Sequence, residues 1–86
     1  MKIIRDATAG SGEKSDCSVT VRPSDGLEIE ITGSSAAFFR ESMVAEIKSV
    51  LRELAVDAGT IEVADRGALP FCLKARVEAA VRRGSE

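Results

Sequence analysis

Cys17-Ser18-Val19-Thr20-Val21-Arg22-Pro23-Ser24-Asp25-Gly26-Leu27-Glu28-Ile29-Glu30-Ile31-Thr32 is the stretch on which the fold turns. Cys17, Val19 and Val21 alternate with Ser18, Thr20 and Arg22. Leu27, Ile29 and Ile31 alternate with Glu28, Glu30 and Thr32. A period of two places each set on its own face of a strand. Pro23 fixes φ and Gly26 permits positive φ, so Pro23–Gly26 reads as a turn. Together these features predict a β-hairpin with one oily and one polar face. Glu28 and Glu30 share the polar face. A half-buried sheet requires polar side chains there, so the pair is a solvated face rather than an acid–base pair.

Towards the C-terminus, Gly33-Ser34-Ser35 breaks the strand and offers hydroxyls for an N-cap. From Ala36 to Ala55, Phe39, Met43, Ile47, Val50, Leu51 and Leu54 recur at steps of three and four. They form one apolar stripe on a helix, broadened by Phe38 and Val44. That spacing assigns Phe38 and Met43 to core packing rather than to a cofactor box. Asp57-Ala58-Gly59 ends the helix, and Thr60–Ala64 alternates again around Ile61 and Val63. Strand, helix and strand in this order predict a crossover connection, right-handed if the two strands are parallel in one sheet. Asp65-Arg66-Gly67 is a turn. A second helix starts near Leu69-Pro70, with proline in the first turn where its missing N–H costs nothing. Leu69, Leu73, Val77, Ala80 and Val81 line its apolar face, while Lys74, Glu78 and Arg82 line the opposite one. Gly84 ends it. Phe71 falls off this stripe. The expectation is a frayed helix start with Phe71 folded under the sheet; an exposed Phe71 would be a contact for a partner protein.

Towards the N-terminus lies Ala9-Gly10-Ser11-Gly12-Glu13-Lys14-Ser15-Asp16, without apolar periodicity. Its glycines, serines and charges read as a flexible, hydroxyl-bearing loop. Met1–Thr8 carries only Ile3 and Ile4 as apolar weight and reads as a short edge strand or an ordered arm. The fold class is α+β: a two-layer sandwich with a small, mostly antiparallel sheet of three or four strands and two helices on one face. The chain is a single domain over residues 1–86, with 9–16 as its loop.

Composition narrows the function. A chain of 86 residues buries about 60–65% of its unfolded surface, enough for one modest core. The formal net charge is −2, which gives no broad attraction to nucleic acid. Arg76 and Arg83 flank the second helix's stripe, but Glu78 interrupts them and no aromatic residue interleaves, so no nucleic-acid helix is expected. There is no histidine, which removes the usual general base and every Ser-His or Cys-His pair. Cys17 and Cys72 make neither a zinc spacing nor a Cys-x-x-Cys and are expected as small buried thiols. No metal site is expected. Gly10-Ser11-Gly12 lacks the Gly-Lys-Ser/Thr ending of a P-loop. Lys14 beside Ser15 would point away from it in an extended segment, which excludes a Ser-Lys nucleophile. No signal peptide and no membrane-spanning run are expected, so the reading is cytoplasmic. A loop serine suits modification, because a hydroxyl on an uncluttered segment can enter another enzyme's active site.

Certain residues carry a resemblance. They are Thr8-Ala9-Gly10, then Glu13…Ser15-Asp16, then Ser34-Ser35, and above all Asp65-Arg66-Gly67-Ala68-Leu69…Cys72-Leu73-Lys74-Ala75-Arg76-Val77-Glu78-Ala79. Over nearly its whole length the chain resembles the acyl carrier (gamma) subunits of citrate lyase, and more weakly the acyl carrier subunit of malonate decarboxylase. The resemblance implies a non-catalytic subunit that carries phosphoribosyl-dephospho-coenzyme A on an N-terminal serine through a phosphodiester. It implies that the group's thiol holds acetyl or citryl while citrate is cleaved to acetate and oxaloacetate. The implied partners are the alpha and beta lyase subunits and a prosthetic-group transferase. In an ungapped match, Lys14 stands where the family has its modified serine. Ser15, one residue on, keeps the Glu-x-Ser-Asp setting and is the expected attachment residue; Ser11 is the alternative, and Ser18 lies within a strand. An unmodified structural or interaction subunit of a lyase or malonate decarboxylase-type complex is the other function carried forward.

Overall fold

The structure is a computed structural model that describes residues 1–86. Its elements run β1 (Ala7–Gly10), β2 (Cys17–Arg22), β3 (Leu27–Thr32), α1 (Ala36–Glu53), β4 (Gly59–Asp65) and α2 (Pro70–Gly84). The four strands form one sheet in the order β1-β2-β4-β3. β1 pairs antiparallel with β2, and β2 antiparallel with β4. β3 pairs with β4 in parallel. The α+β layering is as the sequence indicates, with α2 packed on β1 and β2 and α1 packed on α2 and β3.

The hairpin is corrected. β2 and β3 do not pair with each other, because β4 lies between them. Pro23–Gly26 is therefore not a tight turn but a strap that passes over the start of β4. Gly59 N–H donates to Gly26 O at 3.0 Å, and the Ser24 hydroxyl donates to Gly26 O at 2.7 Å. The span is short: two inter-strand spacings are about 9.5 Å, well within reach of four linking residues. The expected crossover holds, since β3, α1 and β4 form a strand–helix–strand unit with parallel strands.

The core lies between the sheet's inner face and the helices. Cys17, Val19 and Val21 of β2, Ile61 and Val63 of β4, and Ile31 of β3 meet Met43, Ile47, Val50 and Leu51 of α1 and Leu73, Val77, Ala80 and Val81 of α2. The alternation of β2 is realised in full, whereas in β3 only Ile31 is buried, with Ile29 half-buried and Leu27 exposed. The helix stripes are realised in the α1 and α2 positions just named. The first strand is displaced: it begins at Ala7 and takes in Ala9 and Gly10. Residues ahead of it form an ordered arm, with Ile3 buried and the Ile4 and Arg5 N–H groups donating to Gly84 O at 2.8 and 3.1 Å. Gly84 is a contact glycine as much as a helix end. A Cβ there would sit 2.8 Å from Val21 Cγ2 and 3.1 Å from Arg5 O.

Both helix starts differ from expectation. Ser35 makes no side-chain cap; the Ser35 carbonyl accepts from Phe38 and Phe39 N–H instead. Phe39 has φ −125° and ψ 17°, a kink in the first turns of α1. Phe38 and Phe39 at this kink, and Leu69 and Phe71 at the start of α2, are exposed, at 82%, 61%, 59% and 72%, and none is core. The helical stripe of α1 begins at Met43, and that of α2 at Leu73. At its other end α1 closes with Ala55 at φ 54°, its N–H donating to Arg52 O and Val56 N–H donating to Leu51 O. This is the backbone pattern of a Schellman stop. No helix is long and apolar enough to cross a membrane.

Candidate functional site

The segment from Ser11 to Asp16 links β1 to β2 and is fastened at several points. It opens at Gly10, whose φ of +93° places the chain where a Cβ would lie 1.9 Å from Cys17 O, so only glycine fits. Ser11 N–H donates to Cys17 O at 3.1 Å, and Asp16 N–H to Glu13 O at 3.2 Å. Across the molecule, Ser15 N–H donates to Arg66 O at 2.8 Å, and Arg66 N–H to Asp16 O at 2.9 Å. The Arg66 guanidinium reaches Gly12 O at 3.1 Å. The segment is thus laced to the turn after β4.

Asp16 is the hub. Its carboxylate accepts the Ser11 hydroxyl at 2.6 Å and its neighbour's Cys17 N–H at 2.7 Å. It accepts Arg76 Nε and Nη2, each at 3.1 Å, in a two-pronged pair with α2. Cys72 Sγ donates to it at 3.5 Å. Its side chain is only 14% exposed, while that of Arg76 is 42% exposed. The Ser11 hydroxyl, then Arg76, then the Cys17 N–H hold the Asp16 carboxyl well below the usual carboxylate range. Asp16 in turn holds Arg76 above its ordinary range.

The serines separate clearly. Ser11 is half-buried, with its hydroxyl spent on Asp16 and accepting Glu13 N–H. Ser18 is half-buried within β2. Ser15 is exposed, with φ +67°, a left-handed conformation held by its N–H bond to Arg66. Lys14 and Glu13 beside it are exposed as well. The loop therefore presents Ser15 at an outward corner, with its backbone anchored.

Cys17 is fully buried and Cys72 half-buried, and both are free thiols. Their sulfurs and an Asp16 oxygen lie within 4.8 Å of one another. Burial first, then the neighbouring Cys72, pushes the Cys17 thiol up to about 12.

Asp65, a turn residue in the sequence, is buried and accepts Gly67 and Ala68 N–H at 3.2 and 3.0 Å. It shapes the turn leading into α2. An Asp two residues before a glycine is the local sign of such a turn. The Asp16–Arg76 pair had no such sign, since 60 positions separate the two residues. Next to this turn, α1 and α2 enclose a cleft of about 380 Å³, with Phe39, Met43, Leu69 and Leu73 on its apolar side and Ser42 and Glu46 on its rim.

The chain is similar to known proteins along its full length. Residues 4–84 match the family described as Malonate decarboxylase delta subunit (MdcD). It is 44% identical over 86 residues to the citrate lyase acyl carrier protein of Haemophilus influenzae strain PittGG, covering 100% of this chain and 90% of that one. It is 40% identical over 88 residues to the citrate lyase acyl carrier protein of Clostridium perfringens strain 13, covering 100% and 87%. Among solved structures, a chain of a Pseudomonas malonate decarboxylase hetero-tetramer in complex with malonate shares the fold, with TM-score 0.69 at 16% identity over 94% of this chain and 84% of that one.

Proposed function

The chain belongs to the citrate lyase acyl carrier protein family, and from that premise we propose that it is the acyl carrier subunit of a citrate lyase. Its prosthetic group is phosphoribosyl-dephospho-coenzyme A, joined to Ser15 by a phosphodiester. The observation that carries the reading is Ser15 itself: exposed, at the outward corner of a loop whose backbone is bound to Arg66 and whose base is bound to Arg76. A transferase needs a hydroxyl it can surround, and Ser15 meets that need where Ser11, half-buried and bonded to Asp16, does not. When bound, the group supplies a terminal thiol that holds acetyl or citryl as a thioester while citrate is cleaved to acetate and oxaloacetate.

This chain's part is positional. Asp16 and Arg76 fix the root of the loop, so an attached arm swings from a stationary point. Tethering raises the effective concentration of its end at nearby active sites without any new contact. The catalytic work belongs to the alpha and beta subunits in the cytoplasm. Phe38, Phe39, Leu69 and Phe71 form the exposed apolar surface that those larger subunits cover.

Lys14 favours a second reading, an unmodified structural subunit of a lyase or malonate decarboxylase-type complex, because lysine cannot form the phosphodiester. Intact mass after co-expression with the cognate transferase separates the two. The expected result is a mass gain matching one prosthetic group, lost in Ser15→Ala and kept in Ser11→Ala. No gain, together with stable binding to the large subunits, would establish the second reading. A gain that survives Ser15→Ala would move the attachment elsewhere.

A further inference from the structure

We propose that Cys72 and Cys17 form a peroxide-sensitive modification site, with Cys72 as the reacting thiol and Cys17 as the one that closes the disulfide. Two sulfurs from opposite ends of the chain stand within 4.8 Å of each other. The two sulfurs differ in exposure, which decides which of them meets an oxidant first. Cys72 is half-buried in the first turn of α2 and open to a small oxidant, whereas Cys17 at the start of β2 has no exposed surface. The nearby carboxylate does not turn the cluster into a metal centre, because both Asp16 oxygens are already bound to Arg76. What the geometry leaves is sulfur meeting sulfur.

The chemistry balances with peroxide as oxidant. The Cys72 sulfur attacks a peroxide oxygen, the O–O bond breaks, the departing hydroxide takes up the thiol's proton, and Cys72–SOH stays on the chain as water leaves. The Cys17 sulfur then attacks the Cys72 sulfur, the S–O bond breaks, the Cys17 proton passes to the departing hydroxide, and the disulfide and a second water form. The two thiols lose two electrons and peroxide gains them. Side-chain rotation must bring the sulfurs to about 2.05 Å. The bond takes Cys72 Sγ away from Asp16 and clamps the start of β2 to α2 beside the loop that bears Ser15. The site is independent of whether Ser15 is modified.

The test is titration of the purified full chain with hydrogen peroxide, followed by intact mass, thiol counting and peptide mapping. The expected product is a monomer lighter by two hydrogens, with free cysteine thiols falling from two to none and one cross-linked peptide joining Cys17 to Cys72. Cys17→Val, which fits a buried strand position, should instead carry Cys72 to the sulfinic acid, a gain of two oxygens. Should wild type also gain two oxygens at Cys72, form Cys72-linked dimers, or keep both thiols, the proposal is overturned. If Cys17→Val fails to fold, the cross-linked peptide in wild type decides alone.

Discussion

The ion pair between Asp16 and Arg76 joins a loop residue to a helix residue that the chain order keeps far apart. Its pH behaviour follows from direction alone. The Asp16 carboxyl is held below its ordinary value of 3.8 in the folded chain, so its contribution to stability is present above that value. It is lost as pH falls from there towards the folded-state value. Asp16→Asn removes the charge and hence this dependence. In urea titrations at stepped pH, the gap between wild type and Asp16→Asn should be widest above about pH 4 and narrow below it. A gap that stays constant through that window would mean the pair does not hold the loop. At this scale little of the site was legible. Ser15, which we propose as the attachment residue, stands out in the sequence because its neighbours carry a motif. Its anchors were not: Arg76 looked like one of several flanking cations, and nothing within a few residues of it points to Asp16.

Strand and helix content was legible for a simple reason: burial on one face imposes a period, and the period is visible. Pairing was not. Cys17–Arg22 and Leu27–Thr32 carry the alternation of hairpin strands, yet β4 occupies the place between them. Alternation reports which side chains face the core, and says nothing about which strand lies alongside. The helix starts were misread for a related reason. Phe39 and Leu69 continue the three-and-four spacing into residues where the backbone has already left the helix. The topology itself can be tested by position-dependent cost. Ile61 of β4 is fully buried with neighbours on both edges, whereas Ile29 of β3 is half-buried on an outer strand. Ile61→Ala should cost about 2–5 kcal/mol in urea unfolding. Ile29→Ala should cost clearly less. Equal costs would argue against a central β4.

Considered whole, the molecule builds its core from aliphatic residues and the Cys17 side chain, and sends all three phenylalanines to the surface at the end where α1 and α2 begin. Such residues contribute little to the isolated chain. Phe38→Ser and Phe71→Ser should each change its unfolding free energy by less than about 0.5 kcal/mol. Both should lower the amount of chain that co-purifies with the large lyase subunits. Unchanged recovery would place the docking surface elsewhere. The strand order bears on how the protein is made. β4 is the last strand to be synthesised and the only one that joins β2 to β3. A nascent chain that has just left the ribosome up to the end of α1 can pair β1 with β2 and nothing more. β3 waits through the whole of α1 for its sole neighbour, leaving Ile29 and Ile31 uncovered until residue 65 has emerged. Assembly of this sheet is therefore a late event in translation, and a ribosome stalled before β4 holds an unfinished fold that invites chaperone capture.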